Sequence, residues 1–363
     1  MTKKFANDFP ILSQYTYANT AASGLLSEGL MDWRQEHDID FLIGGSIFRE
    51  TQEKFINGVR KSVANFFNAS KENTVLVPNF SFGWNTLLEG LPKNKKFLLL
   101  QEDYPSVNFP IESKGFKVCY AQINEALENN IIETIKKEKP DIFAFSVVQY
   151  ISGIKMRLSF INQLKKDFPD LLIFADGTQF CGTEKFDFAA SGIDVLGASG
   201  YKWMLAGYGN GFMMFKDGVS DLLYTEAKQH EPHKESFLKE KGHLKIHFEP
   251  GHLDTLNFGS LQFAINFLSE VGMDEIQNQL TILKQKAVIE FKRIGVLDET
   301  VNEETHSTIF NLKGDMQMLE KLREKDIICS SRGGGIRISF HFYNTEKEVN
   351  KLALAIRDLQ KTN

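Results

Sequence analysis

The chain has 363 residues, 42% of them hydrophobic and 25% charged, which suits one large or two unequal globular domains and excludes disorder. Its formal net charge of −5 excludes a general nucleic-acid or membrane-surface role, because such partners require a basic footprint. Cys119, Cys181 and Cys329 are widely spaced and include no CxxC pair. With no apolar leader in "MTKKFANDFP" and no run of about 18 to 20 apolar residues, the expectation is a soluble, cytoplasmic protein.

Seven short apolar runs come first in chain order: "TVLVP" (74–78), "KFLLLQ" (96–101), "FKVCYAQI" (116–123), "DIFAFSVV" (141–148), "LLIFADG" (171–177), "VLGAS" (195–199) and "GFMMF" (211–215). Amphipathic segments such as 128–139 and 157–168 lie between them, so they predict an α/β fold with a mostly parallel seven-stranded sheet flanked by helices. The 31 phenylalanines are scattered and read as core material. Beyond residue 225 the chain turns polar and histidine-rich and reads as a long loop. A strong helix follows, with Ile276, Leu280, Leu283, Ala287, Phe291 and Ile294 on one face and Asp274 as its N-cap. The tail predicts a strand in 307–314, a helix near 315–325, a strand in 336–343 and a final helix from Glu346. The expected division is an N-terminal segment, 1–20, packing with the small domain, a large domain, 21–255, and a small C-terminal α/β domain, 256–363.

"ASGYKWM" (198–204) sets Lys202 between Tyr201 and Trp203. Apolar and aromatic neighbours favour a neutral amine, the form that can attack a carbonyl, although a lysine at a helix start can also snorkel to water. Upstream, "IFADGTQF" ends a predicted strand in Asp176, with Gln179 three residues later. Ligands of open α/β sheets bind beyond the carboxyl ends of the strands, so Asp176 and Lys202 face one crevice. Pyridoxal phosphate needs this pair, a lysine for its aldehyde and an acid for its pyridine nitrogen. "PNFSFGWN" (78–85) opens a predicted helix. Its N-terminal amides, near Ser81 and Phe82, can attract a phosphate or simply be capped.

"ADGTQ" followed by "ASGYKW" resembles the D-x-x-Q and S-x-[HY]-K signature of the class V aminotransferases, fold-type I pyridoxal phosphate enzymes. That family includes cysteine desulfurases, isopenicillin epimerase-like proteins and kynureninase. The resemblance implies that Lys202 carries pyridoxal 5′-phosphate as a Schiff base, that Asp176 pairs with the pyridine nitrogen, and that Gln179 sits by the phenolic oxygen. It places Ser81, Phe82, Ser199 and Tyr201 at the phosphate, with Tyr201 where many relatives carry His. It also implies that Tyr104 of "QEDYPSVNFP" stacks on the ring. Tyr150 stands where desulfurases commonly have Asn. "RGGGIRISFHFYNT" (332–345) resembles the segment in which Arg337 binds the substrate α-carboxylate, a task suited to a planar guanidinium. "YANTAASG" (17–24) resembles the loop that closes over the substrate, with Asn19, Thr20 and Ala21 at the entrance. "FEPGHLDTLNF" (248–258) falls where relatives reach the neighbouring subunit's phosphate. That contact in relatives implies an active site shared across a homodimer; this chain departs from their Gly-Thr, since His252 follows Gly251 and the threonine, Thr255, comes three residues later.

The activity implied is class V amino transfer at the α-carbon of an amino acid. A cysteine desulfurase or selenocysteine lyase needs a thiol on a mobile loop. Cys329, eight residues before Arg337, reads instead as the start of a strand, so desulfuration and other lyase or epimerase chemistry rank second. A metal hydrolase using His230, His233, His243, His247 and His252 would need a helix over "HLKIH". Pro232 and the lack of an apolar face argue against that helix. A non-catalytic binding module is disfavoured by the presence of Lys202, Asp176 and Arg337 together.

Overall fold

The computed structural model describes residues 5–230, 235, 241–298 and 301–361. Its strands in chain order are β1 (Thr16–Tyr17), β2 (Thr74–Val77), β3 (Lys96–Leu100), β4 (Lys117–Ala121), β5 (Ile142–Ser146), β6 (Leu172–Asp176), β7 (Val195–Ser199), β8 (Gly211–Phe215), β9 (Ile309–Leu312), β10 (Ile327–Ile328), β11 (Ser330–Arg332) and β12 (Gly335–Ser339). The seven apolar runs form one sheet in the order β2-β8-β7-β6-β5-β3-β4, in which only β8 runs against its neighbours.

Alternation along each strand divides the core into two layers. Leu98, Leu100, Phe143, Phe145, Ile173, Ala175, Leu196 and Phe212 point to one face, and Phe97, Leu99, Ile142, Ala144, Phe174, Val195 and Met213 to the other. Burial on both faces is why these runs are continuously apolar rather than alternating. From β3 the chain moves to β4 on one side, and from β4 it crosses back to β5 on the other side of β3, so a topological switch point opens beyond the carboxyl ends of β3 and β5.

The C-terminal part has its own sheet, β11-β12-β9, and a core that includes Phe291, Phe310, Ile336, Ile338 and Ile356. β1 pairs in parallel with β10, and Asn19 bridges to Ser339, which ties the N-terminal segment to this unit. The expected division at 255/256 falls at the start of the helix Thr255–Val271. That helix buries Phe258, Leu261, Ile265 and Leu268 in the same core as Val59 and Val63 of the helix Gln52–Phe66. The next helix, Met273–Arg293, spans both cores, with Ile276 and Leu280 in one and Leu283, Ala287 and Phe291 in the other.

Two local expectations are corrected. Gly272, not Asp274, occupies the N-cap of Met273–Arg293, and Asp274 lies inside the first turn, where a carboxylate still favours the helix dipole. The polar stretch after 225 contains a short helix, His243–Phe248, because Leu244 and Phe248, four residues apart, supply the apolar face that sequence reading missed. Phe248 packs edge-on against Phe215 of β8. The helix spends its imidazoles on packing: His243 Nε2 lies 2.9 Å from the Leu223 carbonyl and the His247 ring stacks on Tyr224 at 3.6 Å. His233 lies outside the described residues, and among those described no three His, Cys, Asp or Glu side chains are grouped to hold a metal.

Candidate active site

Four chain segments converge at the carboxyl ends of the parallel strands. Tyr104 follows β3, Tyr150 follows β5, Asp176 ends β6, and Lys202 follows β7. Together with Ser146 and Gln179 they line a small pocket. Behind Gln179 and Val148 a larger cleft runs between the two units, past Thr281 and Lys284. The smaller pocket brings Lys202 and Asp176 together.

Lys202 is 5% exposed. Burial pulls its ammonium down to about 8, against the attraction of Asp176 and with help from the positive charges of Arg337 and Arg332. Its Nζ lies 5.6 Å from the Tyr104 ring centre and 5.4 Å from that of Tyr201. Asp176 is pushed up to about 6, chiefly by burial, while the Thr178 N–H, donating to its Oδ1 at 2.8 Å, and Lys202 oppose the shift. Neither group finds full compensation in the protein alone, so each is poised to accept a partner of opposite need.

The backbone geometry around Lys202 is exacting. Gly24 N–H donates to the Tyr201 carbonyl at 2.8 Å, and a Cβ at Gly24 would lie 2.0 Å from the Lys202 carbonyl oxygen. Only glycine permits the entrance loop to approach this closely. The same loop is pinned from the other side, where Ala21 N–H donates to Ser339 Oγ at 2.8 Å and Thr20 Oγ1 lies 2.5 Å from Tyr343 Oη. Thr20 and Ala21 are buried, so they anchor the loop, while Asn19 Oδ1 is buried with no partner.

Gln179 joins these parts. Its Nε2 donates to the Ala21 carbonyl at 3.0 Å, and its Oε1 accepts the Trp203 indole N–H at 2.7 Å. Trp203 thus positions Gln179 through its indole N–H. His341 Nε2 donates to the Trp203 carbonyl at 3.0 Å while its Nδ1 accepts the Phe342 N–H, and burial holds that imidazole neutral, down to about 3. We expect Trp203→Phe to cost about 1–3 kcal/mol, the penalty of an unsatisfied Gln179 Oε1, seen as a lowered melting temperature. The loosened Ala21 carbonyl should raise KM more than it lowers kcat.

At the opposite end, Ser199 Oγ accepts the Phe80 N–H at 2.8 Å, which brings the end of β7 onto the first turn of the helix Phe80–Gly90. Ser81 is half-buried there, whereas Phe82 is exposed and its N–H is capped by Asn79 Oδ1 at 2.9 Å. Tyr201 stacks on Tyr208 with ring centres 4.7 Å apart. The structure therefore joins Ser81, Ser199 and Lys202 in one region. It does not bring Thr255 to the cavity: its hydroxyl lies 2.8 Å from His37 Nε2.

Tyr104 stands edge-on to Tyr150, ring centres 5.0 Å apart. Its turn is fixed by Asp103, whose carboxylate accepts the Tyr104 N–H at 2.6 Å and the Ser146 N–H at 2.8 Å. Arg337, on β12, is 3% exposed. Its Nη1 donates to the Tyr150 carbonyl at 2.8 Å, its buried Nε has no partner, and burial pulls the guanidinium down to about 10.

Residues 44–352 match the aminotransferase class-V family. The chain belongs to that family. Among curated relatives of this class V chain is "Uncharacterized aminotransferase YcbU" of Bacillus subtilis, 21% identical over 96% of this chain and 95% of its own length. Another is "Probable cysteine desulfurase" of Borreliella burgdorferi, 24% identical over 99% and 96%. The fold matches the apo cysteine desulfurase of Thermococcus onnurineus, with TM-score 0.84 and 18% identity over 98% of this chain and 97% of that one. It matches equally the cystine C-S lyase C-DES in complex with cysteine persulfide, TM-score 0.84 and 16% identity over 96% and 99%.

Pyridoxal 5′-phosphate is the cofactor of this class V protein, and the residues present fit it. A buried amine whose pKa burial lowers, a buried carboxylate whose pKa burial raises, and a serine-flanked helix N-terminus are the kinds of group that an aldehyde, a ring nitrogen and a phosphate require.

Proposed function

We propose that this class V enzyme is an aminotransferase whose substrate is held by Arg337 through its α-carboxylate. One observation carries the reading: a buried guanidinium whose charge acts on Lys202, with an unpartnered Nε and no carboxylate within ion-pairing distance among the described residues. A buried charge left this way calls for an anionic ligand. Bound pyridoxal phosphate supplies an electron-accepting ring. Asp176 would hold a proton at the ring nitrogen, Tyr104 would pack on the ring, and Lys202 Nζ would take the proton from the substrate α-carbon and, for amino transfer, deliver it to the cofactor rather than back to the α-carbon. Gln179, Trp203 and Ala21 fix the entrance loop and exclude water.

Amino transfer is favoured over sulfur removal because no cysteine can act as sulfur acceptor. All three thiols are buried, and burial pushes Cys329 up to about 11. A reducing, cytoplasmic location suits three unpaired thiols. A homodimer is supported by an exposed apolar patch in which Phe41, Leu42, Ile43 and Ile47 are 56–83% exposed. Thr255 would then reach a site only through the partner.

The test is single-turnover incubation of holoenzyme with L-amino acids. The expected result is one equivalent of 2-oxo acid per site, with the amino group retained on the enzyme and delivered to a second 2-oxo acid. Sulfide or sulfane sulfur from cysteine, or ammonia with no retained amino group, would assign the protein to the lyases.

A further inference from the structure

Arg337 is not the only guanidinium on its face of the β11–β12 hairpin. In the β11–β12 hairpin Ser330 lies opposite Arg337 and Arg332 opposite Gly335. Side chains alternate along each strand, so Ser330, Arg332 and Arg337 rise from one face, with Arg332 the diagonal neighbour of Arg337. Diagonal residues of this kind stand about 7–8 Å apart. Gly335, directly across from Arg332, leaves that position without a side chain.

The hairpin is also placed against the site. Its turn residue Gly333 packs on Ile151, the neighbour of Tyr150, closely enough that a Cβ there would lie 2.3 Å from Ile151 Cγ2. The Tyr150 carbonyl in turn binds Arg337, and Asn311 Nδ2 donates to the Arg332 carbonyl at 2.8 Å. The Arg332 charge is felt by both Arg337 and Lys202. Among the described residues neither arginine has a carboxylate in ion-pairing distance. The carboxylates of the pocket are committed elsewhere, Asp176 to the Thr178 N–H and Asp103 to Tyr104 and Ser146. One guanidinium suffices for one carboxylate, and a second unpaired cation on the same face has no protein partner to neutralise it.

We propose that Arg332 binds a second, distal acidic group of the substrate, so that the site selects dicarboxylic amino and 2-oxo acids, with Arg337 on the α-carboxylate and Arg332 on the side-chain carboxylate. This rests on the reading of Arg337 given above. The two carboxyl groups of aspartate or glutamate, separated by two or three carbons, match a pair of diagonal arginines reached through flexible side chains. Arg332 is exposed and can fold inward on its ligand, as a specificity contact at the pocket mouth must.

The experiment compares kcat/KM of holoenzyme for L-glutamate, L-aspartate and L-alanine in wild type, Arg332→Gln, Arg332→Lys and Arg337→Gln. The non-reacting diacid glutarate and the monoacid butyrate are also compared as competitive inhibitors and in thermal shift. In wild type the diacids are expected to be preferred. Arg332→Gln should lower the glutamate-to-alanine ratio roughly tenfold or more, mainly through KM, and should weaken glutarate relative to butyrate by a similar factor. Arg332→Lys should recover part of both. An unchanged ratio in Arg332→Gln, or a wild type indifferent to the second carboxylate, overturns the proposal. Arg337→Gln should weaken all five compounds together. If it does not, the α-carboxylate reading fails, an outcome separate from the ratio at Arg332.

Discussion

Replacing Lys202 by alanine is expected to lower turnover by about 10⁴-fold or more and to abolish the absorbance of cofactor that survives dialysis, because in the proposed mechanism one amine both holds the cofactor and moves the α-proton. The pocket prepares that amine. With its ammonium brought down to about 8, about a quarter of Lys202 is neutral at pH 7.5, against about one in a thousand for an exposed lysine. Uptake of pyridoxal phosphate by apoenzyme should therefore rise with pH through a midpoint near 8. The same shift fixes a stability trend: from about 8 to the ordinary lysine value near 10.5 the unfolded chain holds more protons, so apoenzyme stability from this group rises with pH. Asp176 acts oppositely. With a folded value of about 6 against an ordinary 3.8, the folded state holds more protons between them, and its contribution falls as pH rises through that window. An alanine variant that kept the band, or uptake flat from pH 7 to 9, would remove Lys202 from its role.

Arg337→Leu is expected to separate stability from activity. The guanidinium is buried without a carboxylate, so an apolar replacement of similar bulk should leave stability unchanged or raise it by about 1–4 kcal/mol, even at the loss of the bond to the Tyr150 carbonyl. Binding of the substrate carboxylate should weaken by about 2–5 kcal/mol, roughly thirtyfold to several thousandfold in KM. Thermal denaturation and steady-state kinetics on one preparation read both effects. A variant with lowered melting temperature and unchanged KM would make Arg337 a structural residue.

The strands were legible because burial on both faces forces continuous apolar runs, and all seven appear within a few residues of where the sequence places them. Asp176 and Lys202 were legible because each lies at or just beyond a strand end, where the connections of a parallel sheet point at the crevice. The helix His243–Phe248 was hidden because its apolar face consists of two residues that matter only once Phe215 stands opposite. Trp203 and Asp103 were hidden for a related reason: an indole N–H and a carboxylate in a turn carry no sign of their partners, Gln179 and the amides of Tyr104 and Ser146, until the fold supplies them.

The sequence by itself determined the α/β class through strand periodicity, while its resemblance to the class V aminotransferases carried the cofactor and singled out the candidate groups of the site. Tertiary structure alone decided which of those groups are charged and which are tied. Burial, which no local pattern encodes, brings Lys202 and Asp176 toward one another in acidity and leaves Arg337 unpaired. The register of a hairpin, set by pairing across strands, put Arg332 on the same face.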